Sequence, residues 1–151
     1  MKKAVTLLEL LVVIAIIGIT AAVAAPALSN YVPSIKLNGS VKVLSGDLRE
    51  AQEKAITEQN QYVIRFFPTA TPVNYQMVRL YYNPEEIIEE ELIRTVSLPS
   101  GETLLLDPGI SDNEIAFSPD GGPSSSGNIT LRLNGAQKII NVSAAGFIKI
   151  Q

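Results

Sequence analysis

The chain has 151 residues, enough for one domain with a self-sufficient core and short for two. It has 0 Cys and 0 His, which excludes disulfides, thiolate metal sites and imidazole acid–base chemistry and argues against an enzyme. The formal net charge of -3 hides an asymmetry: Lys2 and Lys3 lead the chain, whereas from Lys36 onward 10 Lys/Arg stand against 14 Asp/Glu.

No residue between Leu10 and Ile35 is charged, and Leu10 to Leu28 is almost wholly Leu, Val, Ile and Ala. Such a run crosses a hydrocarbon core of ~30 Å as a helix. Lys2 and Lys3 predict a cytoplasmic N-terminus and an exported C-terminal part. A cleaved secretory signal, a plain anchor and a prepilin-type segment all begin this way. Secretory signals have a shorter apolar stretch with no acid in it, whereas here Glu9 sits at the lipid boundary, where a carboxylate needs hydration or a partner.

The stretch from Ala4 to Gly18, AVTLLELLVVIAIIG, resembles the prepilin signal of type IV pilins and type II secretion pseudopilins. The resemblance implies that prepilin peptidase cuts between Ala4 and Val5, that Val5 becomes an N-methylated terminus, and that Glu9 is kept for assembly. In that family the residue before the cut is usually Gly and the one after it Phe; here they are Ala4 and Val5. A freed α-amino group at Val5 of one subunit is a ready counter-ion for Glu9 of its neighbour, and such pairing sets register between apolar helices that otherwise slide. Pro26 and Pro33 each delete a helical hydrogen bond. Pro26 is read as a helix bend that lets the packed helix loosen, as the family's proline does, or as a helix boundary at the membrane surface.

Beyond Pro33 the apolar positions Leu37, Val41, Leu44, Leu48, Ala51 and Ala55 step by four and three, the stripe of an amphipathic helix over 36–58. Lys42, Asp47, Arg49, Glu50, Glu53 and Lys54 mostly take the other face. Gly39 and Gly46 interrupt it at modest propensity cost and allow a neighbouring helix to come close.

After Asn60 the period shortens. Strands are predicted over 62–67, 75–82, 92–98, 103–106, 114–117, 128–134, 137–143 and 147–150, separated by Pro/Gly/Asn/Asp breakers. Asn134-Gly135 marks a type I′ hairpin turn. One helix followed by seven or eight strands gives an α+β fold, a long N-terminal helix packed on an antiparallel β-sheet head.

Three head segments carry a further resemblance: Leu44 to Ile56 (LSGDLREAQEKAI), Phe117 to Gly121 (FSPDG) with the following Ser/Gly loop and Gly127 to Leu131 (GNITL), and Ile140 to Gly146 (INVSAAG). Together they look like a GspH/FimT-type minor pseudopilin. Residues 67–101 carry none of it.

The acidic run from Pro84 to Glu91 lacks the Asp/Asn-and-Gly spacing of a calcium loop and reads as a solvated hairpin or short helical turn, so no metal or other cofactor is assigned. FimT-like relatives include DNA-binding pilins of competence with arginines after the final glycine. Here Gly146 is followed by Phe147 and Ile148. Arg132, Lys138 and Lys149 are the candidate phosphate contacts, and the net acidic head disfavours nucleic acid. The sequence therefore predicts a structural subunit of a type II secretion pseudopilus or type IV pilus, not an enzyme. It divides into a leader (1–4), a transmembrane and assembly helix (5–35) and a periplasmic head (36–151, β-rich from 61). Expected partners are other pilins, prepilin peptidase, an inner-membrane assembly platform and lipid.

Overall fold

The computed structural model describes residues 6–83 and 86–151, with side chains described for all of these except 25–30 and 82–89. One helix, α1 (Leu7–Glu58), is followed by strands β1 (Gln61–Phe67), β2 (Asn74–Asn83), β3 (Glu86–Ser97), β4 (Thr103–Leu106), β5 (Glu114–Phe117), β6 (Gly127–Leu133), β7 (Ala136–Val142) and β8 (Ile148–Ile150). The chain divides after Pro33 into two units.

In the first unit α1 opens on a cap. Thr6 precedes the helix, and its Oγ1 accepts the Glu9 backbone N–H at 3.2 Å. This is half of a capping box, which satisfies one of the four orphan donors of the first turn. The backbone stays helical through positions 26 and 33, so neither proline is the helix boundary that was one reading of Pro26. Ala4 and Val5, with the leader, lie outside the described residues.

In the second unit α1 lays its apolar stripe against two four-stranded antiparallel sheets, ordered β3-β2-β1-β5 and β4-β6-β7-β8. Leu37, Val41, Leu44, Leu48, Ala51 and Ala55 are each 0–1% exposed. They share one core with Tyr62, Ile64 and Phe66 of β1, Ile115 and Phe117 of β5, Ile129 and Leu131 of β6, and Ile140 of β7. Alternation with period two delivers these residues to the helix side of each sheet. Val63, Val78, Leu80 and Ala116 form a second buried cluster on the opposite face of the first sheet. Arg65 lies on that face too, its guanidinium reaching Glu114 on β5 at 3.0 Å and Glu90 on β3 at 2.7 Å. To span both it must cross β2, so its aliphatic stem helps to roof the cluster.

β3 begins six residues before the predicted strand and takes in most of the acidic run. Glu91 stands directly opposite Arg79 in the β2–β3 register, and Glu90 opposite Leu80. The Arg79 Nε donates to Glu91 at 3.0 Å. Cross-strand ion pairing makes charged residues acceptable in an edge strand. The run is thus an arm of a hairpin and not a helical turn. Asn134 and Gly135 carry φ of 46° and 84°, the two left-handed residues of a type I′ turn.

Because Leu48 is fully buried at the centre of the stripe, Leu48→Ala is expected to destabilise the second unit by about 2–5 kcal/mol in chemical denaturation of the full chain. A change below about 1 kcal/mol would show that the stripe does not organise the core.

Candidate functional site: the apolar helix and the fastened head

The first unit offers an apolar rod. Leu7–Ala24 has mean hydropathy 2.7 and none of it is buried within the chain. At 1.5 Å per residue these 18 residues measure ~27 Å, matching a hydrocarbon core by length and composition. Thr20 hides its hydroxyl by donating to the carbonyls of Ile16 at 2.9 Å and Ile17 at 3.0 Å, so the rod presents an apolar exterior. Glu9 is exposed and forms no ion pair with any described residue of its own chain.

In the head, α1 grips both sheets by polar contacts that flank its apolar stripe. Asp47, assigned by sequence to the solvent face, is 7% exposed. It accepts the Tyr75 hydroxyl at 2.6 Å and the Arg94 guanidinium at 2.7 Å. Burial, then the Asp47 carboxylate, pushes the Tyr75 hydroxyl well above its ordinary value, so it stays a donor. At the end of the helix Glu58 accepts from Tyr62 at 2.6 Å and Arg79 at 2.7 Å. Those two bonds hold Glu58 below the usual carboxylate range, while burial and Glu58 raise Tyr62 to about 12.

The C-terminal loops are fastened by a neutral amide. Gln52 Nε2 donates to the carbonyl of Gly121 at 2.8 Å and to that of Gly146 at 3.2 Å. Arg49 beside it donates to the Ile148 carbonyl at 3.0 Å. Both glycines have left-handed φ, +84° and +79°, and both press against the helix. A Cβ on Gly121 would lie 2.9 Å from Ile56 Cδ1, and one on Gly146 2.5 Å from Gln52 Nε2. Two requirements thus select glycine at each position: φ sign and close approach. Sequence alone offered the glycines but no sign of Gln52, because its partners lie 69 and 94 residues away.

Glu102 is the other residue that sequence reasoning missed. It is 4% exposed, accepts the Ser40 hydroxyl at 2.8 Å on Oε1, and has no hydrogen-bond partner on Oε2. Burial raises its pKa against the lowering effects of Ser40 and Lys36.

The three candidate phosphate contacts are not gathered on one face. Arg132 stands opposite Gln137, whereas Lys138 stands opposite the fully buried Leu131 and shares its core-side face. Lys149 pairs with Asn141, whose partner Asn128 lies on the same face as Arg132, two residues from Thr130. Arg65, Arg79 and Arg94 are engaged by carboxylates.

Comparison with known proteins identifies this combination of rod and head. The family described as "Type II transport protein GspH" matches residues 40–146. The chain belongs to the GspH family. The "Prokaryotic N-terminal methylation motif" matches residues 1–25. Among solved structures, the type IV minor pilin FimU of Pseudomonas aeruginosa is similar in fold, with TM-score 0.62, 13% identity and coverage of 80% of this chain and 92% of that one. The minor pseudopilin EpsH from the type 2 secretion system of Vibrio cholerae gives TM-score 0.60 at 12% identity, covering 77% and 96%. A "Fimbrial protein" of Pseudomonas aeruginosa is 39% identical over 75 residues, 50% of this chain and 46% of that protein, so the chain spans about half the length of the curated relatives it matches.

The GspH match spans the segments that Gln52 joins: the helix around Leu48 to Ala55, Phe117 to Gly121, and Ile140 to Gly146. In this GspH-family head they meet at one corner. Gly146→Ala is expected to cost roughly 1–3 kcal/mol. Gly135→Ala, at φ +84° but with open space around its Cβ, is expected to cost less in the same denaturation assay. Equal costs would mean that closeness to Gln52 contributes nothing. Glu102 generates a pH prediction. Its folded-state pKa is raised, so its contribution to stability is present below the ordinary value of 4.5 and is lost as pH climbs through the raised value. The difference in melting temperature between Glu102→Gln and the parent should therefore grow in favour of the variant as pH rises above 4.5. Parallel curves would contradict the raised pKa.

Proposed function

We propose that the protein is a structural, non-enzymatic subunit of a filament of the type II secretion pseudopilus or type IV pilus kind, held in a membrane by α1 and assembled through it. The observation that carries this reading is the 18-residue apolar rod, wholly exposed within the chain, with Glu9, which forms no ion pair with any described residue, near its start. An apolar exterior of that length is stable only in lipid or against other apolar helices. The methylation motif over residues 1–25 supports processing between Ala4 and Val5 with methylation of Val5. Membership of the GspH family, with minor pilin and minor pseudopilin structures as fold relatives, supports the role of a minor component.

In this reading residues 1–4 are the leader, 5–35 the membrane and assembly segment with a bend at Pro26, and 36–151 the head. Prepilin peptidase removes the leader at an inner membrane, Lys2 and Lys3 keep that end cytoplasmic, and the head is displayed on the periplasmic side before an assembly platform incorporates the subunit. The Val5 amine of one subunit neutralises Glu9 of the next, which offsets the cost of a carboxylate at the lipid edge. The DNA-binding alternative is weakened by Lys138, which lies on the core-side face, apart from Arg132 and Lys149 on the other.

Two measurements test the reading. Intact mass of the membrane-extracted protein should correspond to loss of Met1 to Ala4 and gain of one methyl group; retention of all four residues would leave only a plain anchor. Glu9→Ala should leave membrane insertion unchanged and lower incorporation into filaments by about tenfold or more, the loss of a paired charge in a low-dielectric setting. Undiminished incorporation would remove Glu9 from the assembly step.

A further inference from the structure

Arg132 takes no part in assembly through α1. It stands at an end of the head where four stretches of chain converge. Thr103 pairs with Arg132, and a Cβ on Gly101 would lie 3.5 Å from Leu133 Cδ1, so the β3–β4 and β6–β7 turns touch. The Leu98 N–H donates to the Val73 carbonyl at 2.8 Å, which adds the β1–β2 turn. Helix α1 joins through Ser40, whose hydroxyl donates to Glu102 at 2.8 Å, and Lys36 stands one helical turn before Ser40.

Charge is sorted toward this end. Residues 34–46, 68–73, 98–102 and 132–138, which build it, contain Lys36, Lys42, Arg132 and Lys138 against one acid, Glu102. Glu102 is 4% exposed and turned to Ser40, so it shows no charge outward. Lys36 and Arg132 are exposed, and neither is in a salt bridge among the described residues. A head with 10 Lys/Arg against 14 Asp/Glu from Lys36 onward thus has one end of the opposite sign. What lies exposed between its cations is uncharged: Ile35, Pro72, Pro99 and Gly135.

We infer that this end of the head docks on the anionic phospholipid surface of the membrane that holds α1, with Lys36 and Arg132 taking headgroup phosphates. Three observations select a lipid surface. The first is continuity. The head begins at Ser34, and Lys36 is the first charge after the run from Leu10 to Ile35. As a helix that run measures ~39 Å, close to the ~40–45 Å of a bilayer with its headgroups, so Lys36 enters the head at phosphate level. The second is charge complementarity. An anionic surface repels an acidic head but attracts this one end, by about fivefold in occupancy for each Lys or Arg brought near it. The third is the uncharged tips between the cations, which reach the interface without desolvating a charge. The inference rests on the proposed membrane-held reading and adds which end of the head meets lipid, and through which side chains.

The test uses the full chain in lipid nanodiscs that carry a nitroxide-headgroup quencher. Because the chain has 0 Cys, Ser100→Cys places one neutral fluorophore at this end, and Glu53→Cys places one further along α1. Replacing about one-third of the phosphatidylcholine by phosphatidylglycerol should raise quenching at position 100 about twofold or more and leave position 53 unchanged. Salt at ~1 M, where the Debye length is ~3 Å, should cancel the gain. Lys36→Gln combined with Arg132→Gln should cancel it at low salt, whereas Lys149→Gln, which removes a cation elsewhere, should keep it. Equal quenching in the two lipids, a gain that survives the double substitution, or one that Lys149→Gln also abolishes would overturn the inference. So would binding of duplex DNA in phosphatidylcholine discs that the double substitution removes, since it would assign these cations to nucleic acid. Failure of the chain to enter nanodiscs would remove the membrane reading itself, while entry without a response to phosphatidylglycerol removes this contact alone.

Discussion

The head exists because one stripe of one helix is dry. Leu37, Val41, Leu44, Leu48, Ala51 and Ala55 share one core with residues of both sheets. Each half-buried sheet needs a cover, and here a single helix covers both. Every polar fastening described above, from Asp47 to Gln52 and Glu58, lies on residues flanking that stripe. Those contacts are placed by the burial and do not replace it. Net hydrogen-bond contributions of about 1 kcal/mol each refine a geometry that apolar burial sets.

The same helix carries two kinds of surface. Leu7–Ala24 presents apolar side chains outward all round, while the portion from Leu37 keeps them on one side and exposes Lys42, Glu53 and Thr57 on the other. No loop marks the change; it is made by composition alone.

How much of this could be read from sequence depended on the range of the interaction. The stripe was legible because its period is local, and all six of its residues are buried. Seven of the eight strands fall within a residue of where alternation and breakers put them, and Asn134-Gly135 makes its turn for a reason contained in two residues. The start of β3 lies before the predicted strand because the acidic run reads equally as a hairpin or a short helical turn until Arg65 and Arg79, earlier in the chain, are seen beside Glu90 and Glu91. Asp47 was placed on the wrong face for the same reason: nothing near it announces Tyr75 or Arg94. Of the candidate site, Glu9 was legible as an acid out of place. Arg132, Lys138 and Lys149 were grouped by type, yet alternation across β6 and β7 sends Lys138 to the core-side face.

Gln52 has a consequence of its own. The first sheet is stapled to the helix by arginines and carboxylates, whose grip weakens as ions crowd in. The corner where the two C-terminal loops meet is pinned by an amide that carries no charge and does not titrate. In brine the two halves of the head are thus expected to loosen unequally, the acidic hairpin first and the glycine corner last, so that the molecule keeps one fixed facet while another slackens.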